Sequence, residues 1–208
     1  MAKLSKREFT ILLICICIVG VIIAKFLIDY SREGLKGGAA LRSKGNPKAS
    51  VQIIEYIDFQ CPACARGAEM LQEIMVKHPE KIYVQVKYYP LGMHKHAFIA
   101  ARYGECAARQ AKFWPFLDLL LKRQSAWTIL DNAEPAFRQV GSEVGINPGK
   151  LDACLKEDSV DRVILEEREQ GNSLGVKSTP TYFINTKMIV GTKSLTDELK
   201  KYIEAPVK

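Results

Sequence analysis

The sequence predicts an α/β domain preceded by one N-terminal transmembrane helix. Three observations predict it. The apolar run 51–59 passes directly into a helical pattern and then into an alternating run, 82–88, which is a β-α-β start. Near the C-terminus, two short apolar runs flank Asn185-Thr186 and an amphipathic helix follows, the pattern of an antiparallel hairpin with a closing helix. At the other end, Phe9 to Ala24 is sixteen residues without a charge.

Residues 1–8 carry Lys3, Lys6 and Arg7 and are expected on the cytoplasmic side. Phe26-Leu27-Ile28 extend the apolar run past Lys25, whose ammonium can snorkel to headgroups. Residues 9–28 therefore read as an anchor across a hydrocarbon core of about 30 Å. The expected location is single-pass in the cytoplasmic membrane, with the remaining chain on the periplasmic or extracytoplasmic side. A cleaved signal peptide releasing a soluble periplasmic domain is the alternative, but the run is long for one and no A-x-A site follows. Cys15 and Cys17 read as apolar filler. Residues 29–45, rich in Gly, Lys and Ser, read as a flexible linker, and 46–205 as the exported domain. The net charge of +7 is concentrated early: residues 1–48 hold nine Lys/Arg and three Asp/Glu, the rest 21 and 20. That balance speaks for membrane topology and against a nucleic-acid-binding face. Export would place the other four cysteines in an oxidising compartment.

Within the domain, Val51–Phe59 is nearly all apolar, as a central strand covered on both faces should be. The helix after it sets Met70, Leu71, Ile74 and Met75 toward a core and stops near Lys77-His78-Pro79. Ile82, Val84, Val86 and Tyr88 alternate with more polar neighbours, a second strand, parallel to the first through a right-handed crossover. A long helical stretch, about 94–157, holds Phe98, Phe113, Trp114, Phe116, Trp127 and Phe137, with breaks near Ser125, Asp131 and Asn147-Pro148-Gly149. A helix over about Val160–Leu174 precedes the hairpin, Thr179–Ile184 and Lys187–Val190, and Leu195–Ile203 closes the chain.

The chemistry centres on Cys61-Pro62-Ala63-Cys64, at the junction of the first strand and its helix. There the unpaired N–H groups and the helix dipole favour negative charge, so the first thiol ionises readily and becomes reactive. Pro62 suits the first helical position. A second thiol one turn later completes the apparatus of thiol–disulfide exchange. A structural zinc site would need four ligands, commonly two close pairs, whereas Cys106 and Cys154 stand apart and no second CxxC exists. No metal is expected. Those two cysteines, 48 residues apart, read as a structural staple; a second redox pair and two free buried thiols are the alternatives. Glu55 stands six residues before Cys61 in an apolar strand, a costly place for an acid without a task or partner; the alternative is an open strand end facing water. Thr179-Pro180 shows only a proline at a strand start. His94-Lys95-His96 reads as a helix start and not as a metal site. Trp114 and Trp127 read as core, or as the rim of a groove.

Taken together, the run Ile54–Cys64, His96-Ala97, Glu105-Cys106-Ala107, Lys112-Phe113-Trp114 and Gly175–Asn185 resemble, in order and spacing, the DsbA-like thiol–disulfide oxidoreductases. The resemblance covers about Gly45 to Ile203. It implies the thioredoxin fold with a helical insertion at about 94–157. It makes Cys61 the exposed nucleophile, Cys64 the buried resolving partner and Glu55 a proton relay to Cys64. Pro62 and Ala63 become active-site residues between the two cysteines, and Pro180 becomes a cis proline beside the CxxC, leaving the Thr179 backbone to pair with substrate. The implied activity is disulfide formation in exported proteins bearing thiols. A monomer is expected, since the about twenty residues between the apolar run and the domain are too few for a separate dimerisation core. Re-oxidation would fall to a quinone-linked membrane partner of the DsbB or vitamin-K-epoxide-reductase type, with no metal or organic cofactor. Ala63, where the strong oxidant of the family has histidine, opens isomerase and reductase readings; a chaperone-like binding protein with idle thiols is a further rival.

Overall fold

The computed structural model describes residues 20–21 and 40–203. The chain divides into two units, residues 1–37 and 38–208, and every strand described here belongs to the second. In chain order it runs β1 (Ser43–Gly45), β2 (Val51–Ile57), α1 (Pro62–Lys77), β3 (Ile82–Tyr88), α2 (Ala97–Ala108), α3 (Phe113–Lys122), α4 (Gln124–Trp127), α5 (Glu134–Glu143), α6 (Pro148–Cys154), α7 (Asp158–Ser173), β4 (Thr181–Ile184), β5 (Lys187–Val190) and α8 (Thr192–Ile203). The sheet order is β1-β3-β2-β4-β5. β2 and β3 pair in parallel from Val51–Ile82 to Ile57–Tyr88, and the other three pairings are antiparallel. The sheet is therefore mixed, with its parallel pair at the centre and the hairpin at one side.

Both faces of β2 are covered. Val51 and Ile53 pack with Leu71 of α1 and with Leu195 and Leu199 of α8. On the opposite face Tyr56 packs with Tyr89 and Val176, and α7 approaches so closely that a Cβ on Gly171 would lie 2.8 Å from the Tyr89 ring and 3.0 Å from the Tyr56 ring. The helical stretch forms its own apolar core, in which Phe113, Phe116, Trp127 and Phe137 join Ile57, Phe59 and Tyr88 from the sheet end. Trp127 is fully buried and donates from its indole to the Leu120 carbonyl at 2.9 Å, while the half-buried Trp114 donates to the Ser43 carbonyl at 3.1 Å.

The helical stretch divides into five helices, with one break absent from the sequence expectation. After α2 the Lys112 N–H returns to the Ala107 carbonyl and the Ala111 N–H to that of Ala108, the double bond of a Schellman ending. Its left-handed position, φ 56°, is held by Ala111 and not by the glycine that would have announced it. The same ending closes α5 and α7, where Gly145 and Gly175 take the left-handed position.

Two N-terminal expectations change. The segment read as linker over 29–45 contributes a strand: Ser43–Gly45 pairs with Tyr83–Gln85 at the sheet edge. Arg42 before it is only 1% exposed. Its guanidinium donates to both carboxylate oxygens of Glu167 at 2.7 and 2.8 Å and lies 3.5 Å from Glu105. A charge that looked solvated in the sequence is buried because carboxylates from α2 and α7 meet it.

The second change is a correction. No helix among the described residues is long and apolar enough to cross a membrane, so the single-pass location is not supported. Of Phe9–Ile28 only Gly20 and Val21 are described, both helical; the rest of that run, with Cys15 and Cys17, lies outside the described residues. The sequence signal is itself short, since sixteen uncharged residues rise about 24 Å as a helix against a core of about 30 Å, and Lys25 brings a charge into any extension.

Cys106 on α2 and Cys154 at the end of α6 are joined in a disulfide spanning 48 residues. On the chain-entropy argument, closing a loop of that length stabilises by about 4 kcal/mol. Replacing both cysteines by alanine should lower the unfolding free energy by about that amount in urea denaturation, without changing the far-ultraviolet circular dichroism of the folded state.

Candidate active site

The site begins with how β2 turns into α1. Asp58, buried at the end of the strand, accepts from the Gln60 N–H at 2.7 Å and the Leu91 N–H at 2.9 Å, and its Oδ2 lies 2.7 Å from His94 Nδ1. The Cys61 N–H returns to the Asp58 carbonyl at 3.0 Å. From the other side, the buried amide of Gln124 donates to the carbonyls of Phe59 at 2.8 Å and Cys61 at 3.1 Å. The backbone ahead of the cysteine is thus held by a loop after β3 and by α4. His96 Nε2 is 2.8 Å from the Leu130 carbonyl, so neither histidine of the HKH run stands free.

Cys61 is the N-cap of α1 and Pro62 follows in the first turn, where its missing N–H costs nothing. No side chain caps the helix, so its first N–H groups are left for the sulfur. The two cysteines are free thiols, Cys61 7% exposed and Cys64 fully buried. Their ionisations are driven apart. The Cys61 thiol is pulled down to about 5, first by hydrogen bonding from Cys64 and then, against some burial, by Thr179 and the N–H groups of Cys64 and Ala63. The Cys64 thiol is pushed well up, chiefly by burial and by its bond to Cys61. Ala63 contributes its backbone N–H alone.

The loop before β4 lies across this pair. The Thr179–Pro180 peptide bond is cis, and when Cys61 carries its proton the Sγ–H donates to the Thr179 carbonyl at 3.3 Å. Thr179 Oγ1 is buried without a hydrogen-bond partner, which leaves its hydroxyl available to a thiolate. Tyr89 holds the loop in place by donating its hydroxyl to the Val176 carbonyl at 2.7 Å.

Glu55 lies in the sheet behind Cys64. It is 2% exposed and sits directly across the β2–β4 ladder from Tyr182. Burial raises its carboxyl to about 7, an effect that Tyr182 opposes; yet Glu55 Oε1 and the Tyr182 hydroxyl both lack a partner in hydrogen-bond geometry. α1 reaches this layer through Gly67, where any Cβ would come within 2.2 Å of the Tyr182 oxygen. The structure therefore brings Glu55, Cys61, Pro62, Ala63, Cys64, Thr179 and Pro180 to one end of the sheet, and sets Cys106–Cys154 apart in the helical layer. Sequence reasoning passed over Asp58, Gln124 and Tyr182. Asp58 had a signal, as a second acid in an apolar run; the other two had none.

An ionised thiol facing a neutral one across a single helical turn is suited to exchanging a dithiol for a disulfide, and the sheet that carries it is that of thioredoxin-like proteins. A family model described as thioredoxin (Thioredoxin_4) matches residues 39–205, and the chain belongs to that family. The thiol-disulfide exchange protein α-DsbA2 of Wolbachia pipientis superposes with a TM-score of 0.69 at 18% identity, covering 88% of this chain and 97% of that one. A thioredoxin-like oxidoreductase of Silicibacter pomeroyi gives 0.65 at 22% identity, over 79% and 92%. The catalytic domain of Proteus mirabilis ScsC gives 0.65 at 21%, over 78% and 86%. Among curated sequences, the Na(+)/H(+) antiporter NhaA of Herminiimonas arsenicoxydans is 28% identical over 149 residues, 72% of this chain. The chain spans only 23% of that antiporter's length.

Two outcomes follow from the ionisations. With a thiolate half-formed at about pH 5, iodoacetamide should label Cys61 at a rate that rises through pH 5 and is flat above neutrality, with little label on Cys64. A Cys61 rate still climbing at alkaline pH would contradict the assignment. Glu55 acts on stability. Its value in the fold, about 7, lies above its ordinary 4.5, so folding favours the neutral form. The stability difference is fully present below pH 4.5 and lost as pH rises through 7, by about 3 kcal/mol. Glu55→Gln should therefore match the native protein in urea at acid pH and exceed it by about that amount at mildly alkaline pH.

Proposed function

We propose that the chain is a protein thiol–disulfide oxidoreductase that attacks existing disulfides through Cys61 and rearranges them. The observation that carries this reading is the free pair in which Cys61 is ionised while Cys64 is held neutral. The Cys61 thiolate attacks one sulfur of a substrate disulfide. A Cys61–substrate bond forms, the substrate S–S bond breaks, and the second substrate sulfur leaves as a thiolate. Because Cys64 keeps its proton, it does not at once displace the substrate, and the freed substrate thiolate has time to attack elsewhere. When Cys64 passes its proton to Glu55 it attacks Cys61, releases the substrate reduced and leaves a Cys61–Cys64 disulfide. That second step is the escape from a stalled mixed disulfide.

A second reading, net disulfide formation, has support from the same ionised Cys61. Stabilising a thiolate stabilises the dithiol, which raises the potential and makes the disulfide form a better oxidant. The dithiol left behind would then need re-oxidation, and a quinone-linked membrane protein of the DsbB or vitamin-K-epoxide-reductase type is the class of partner this reading calls for. Residues Thr179 and Pro180 serve both readings as the strip on which an extended substrate would lie.

The test pairs two substrates, scrambled and fully reduced ribonuclease A, in a glutathione buffer. Faster recovery from the scrambled substrate is expected, abolished by Cys61→Ser and retained in part by Cys64→Ser. Rapid oxidation of the reduced substrate with slow unscrambling would assign net disulfide formation instead. The potential of the Cys61–Cys64 couple is expected between roughly −120 and −270 mV, the DsbA and thioredoxin values.

A further inference from the structure

Buried Glu55 must release its own proton to water before it can take that of Cys64, and a cavity beside it offers an opening. A small cavity, ≈ 20 Å³, lies where β1, β2, α1 and α3 meet. Glu55, Lys44, Gln72 and Asp118 supply its polar lining. That volume is enough for about one water molecule, and four polar side chains are enough to hold it. Glu55 Oε1 is the atom without a hydrogen-bond partner. Ala68, Gln72 and Asp118 also line an open groove of ≈ 590 Å³ between α1 and α3, so the small cavity and the groove share a wall. Asp118 is itself exposed. A carboxyl in the core and an exposed carboxylate thus line the same small cavity.

We propose that Asp118 is the proton outlet of Glu55, acting through one water in the cavity between α1 and α3. The proposal rests on the exchange chemistry given above. Cys64 Sγ–H gives its proton to the Glu55 carboxylate and attacks Cys61; the Cys61–Cys64 bond forms and the bound partner leaves as a thiolate. Glu55 then returns to its ionised state by passing the proton through the water to Asp118, and from there to solvent. Asp118 is a positioning residue, since it touches neither sulfur. Lys44, whose ammonium lies 5.4 Å from the centre of the Trp114 ring, opposes the lift that burial gives Asp118 and so favours its ionised form. The charged groups facing Asp118 are Lys44 from β1 and Glu55 from β2 in the cavity, and Arg66, Glu69, Glu73 and Lys122 along the groove. The helical layer, which supplies α3, would on this account drain protons from the thiols as well as cover them.

The test uses the full chain, reduced and held at pH 6, where Glu55 is largely neutral and must shed its own proton before it can take that of Cys64, and mixed with excess oxidised glutathione under rapid acid quench. Formation of the Cys61–glutathione mixed disulfide and its resolution by Cys64 then appear as two successive phases. Asp118→Asn should leave the first phase unchanged and slow the second roughly ten- to hundredfold. Formate in the buffer should restore much of the loss, and Asp118→Glu should keep the native rate. An Asp118→Asn protein that resolves as fast as the native one, with the same pH profile, overturns the outlet and leaves the exchange reading intact. Slowing of both phases alike also overturns it, as a structural effect. A native protein that forms no mixed disulfide overturns the exchange reading, and the outlet with it.

Discussion

Strand β2 is buried on both faces, and most of the architecture is the consequence of covering it. One face takes α1 and α8, through Leu71, Leu195 and Leu199; the other takes α7, through Tyr56 and its contacts with Tyr89 and Gly171. A strand so enclosed can end only by turning sharply out of the sheet. Here the turn is made over Asp58, whose carboxylate gathers backbone N–H groups from both flanking loops. The residue delivered to the start of α1 by that turn is Cys61. Its reactivity is therefore a property of the sheet as much as of the helix, because the helix N–H groups act on the sulfur only while the strand end holds it there.

Over three residues the same helix makes opposite acids of two thiols. Cys61 caps the helix and meets backbone donors; Cys64 lies one turn in, fully buried, with no compensating charge. Burial penalises the charged form in both places, and only at the helix terminus do the hydrogen bonds outweigh it. Glu55 extends the asymmetry into the sheet. A carboxyl raised to about 7 is poised to take or give a proton near neutrality, where an ordinary glutamate would stay ionised. The arrangement is destabilising taken alone, and the two-sided packing of β2 is what sustains it.

The Arg42 cluster plays a different part. Its guanidinium stacks 4.3 Å from the centre of the Tyr88 ring and joins β1 to α2 and α7 through Glu105 and Glu167, while Glu167 also accepts the Tyr88 N–H at 2.8 Å. A buried ion cluster of this kind contributes little net stability against an apolar alternative. It does tie the edge strand and two helices to one register, and it draws α2, the helix carrying Cys106, onto the end of β3. The helical layer is consequently anchored to the sheet beside the thiols by charge and within itself by the Cys106–Cys154 bond.

The sequence by itself determined the parts governed by local pattern. Alternation in Ile82–Tyr88, the hairpin around Asn185-Thr186 and the strand-to-helix change at Cys61 each lie within a dozen residues, and each stands in the structure where periodicity put it. Glu55 could be singled out as an acid among apolar neighbours, though not for the Tyr182 that faces it. What only the tertiary structure decided depends on partners far along the chain. Arg42 looked like linker because Glu167, 125 residues away, supplies the charge that permits its burial. Gln124 gave no sign of its place, since its bond to Cys61 crosses 63 residues. The turn at Ala111 was silent because alanine occupies a conformation that glycine would have marked. Nothing in the local pattern marks Asp118, because the cavity it lines is closed by α1 and β1. Local propensity is written within a few turns of chain, whereas desolvation and charge pairing are set by whatever the fold brings alongside, and those are the forces that tune this site.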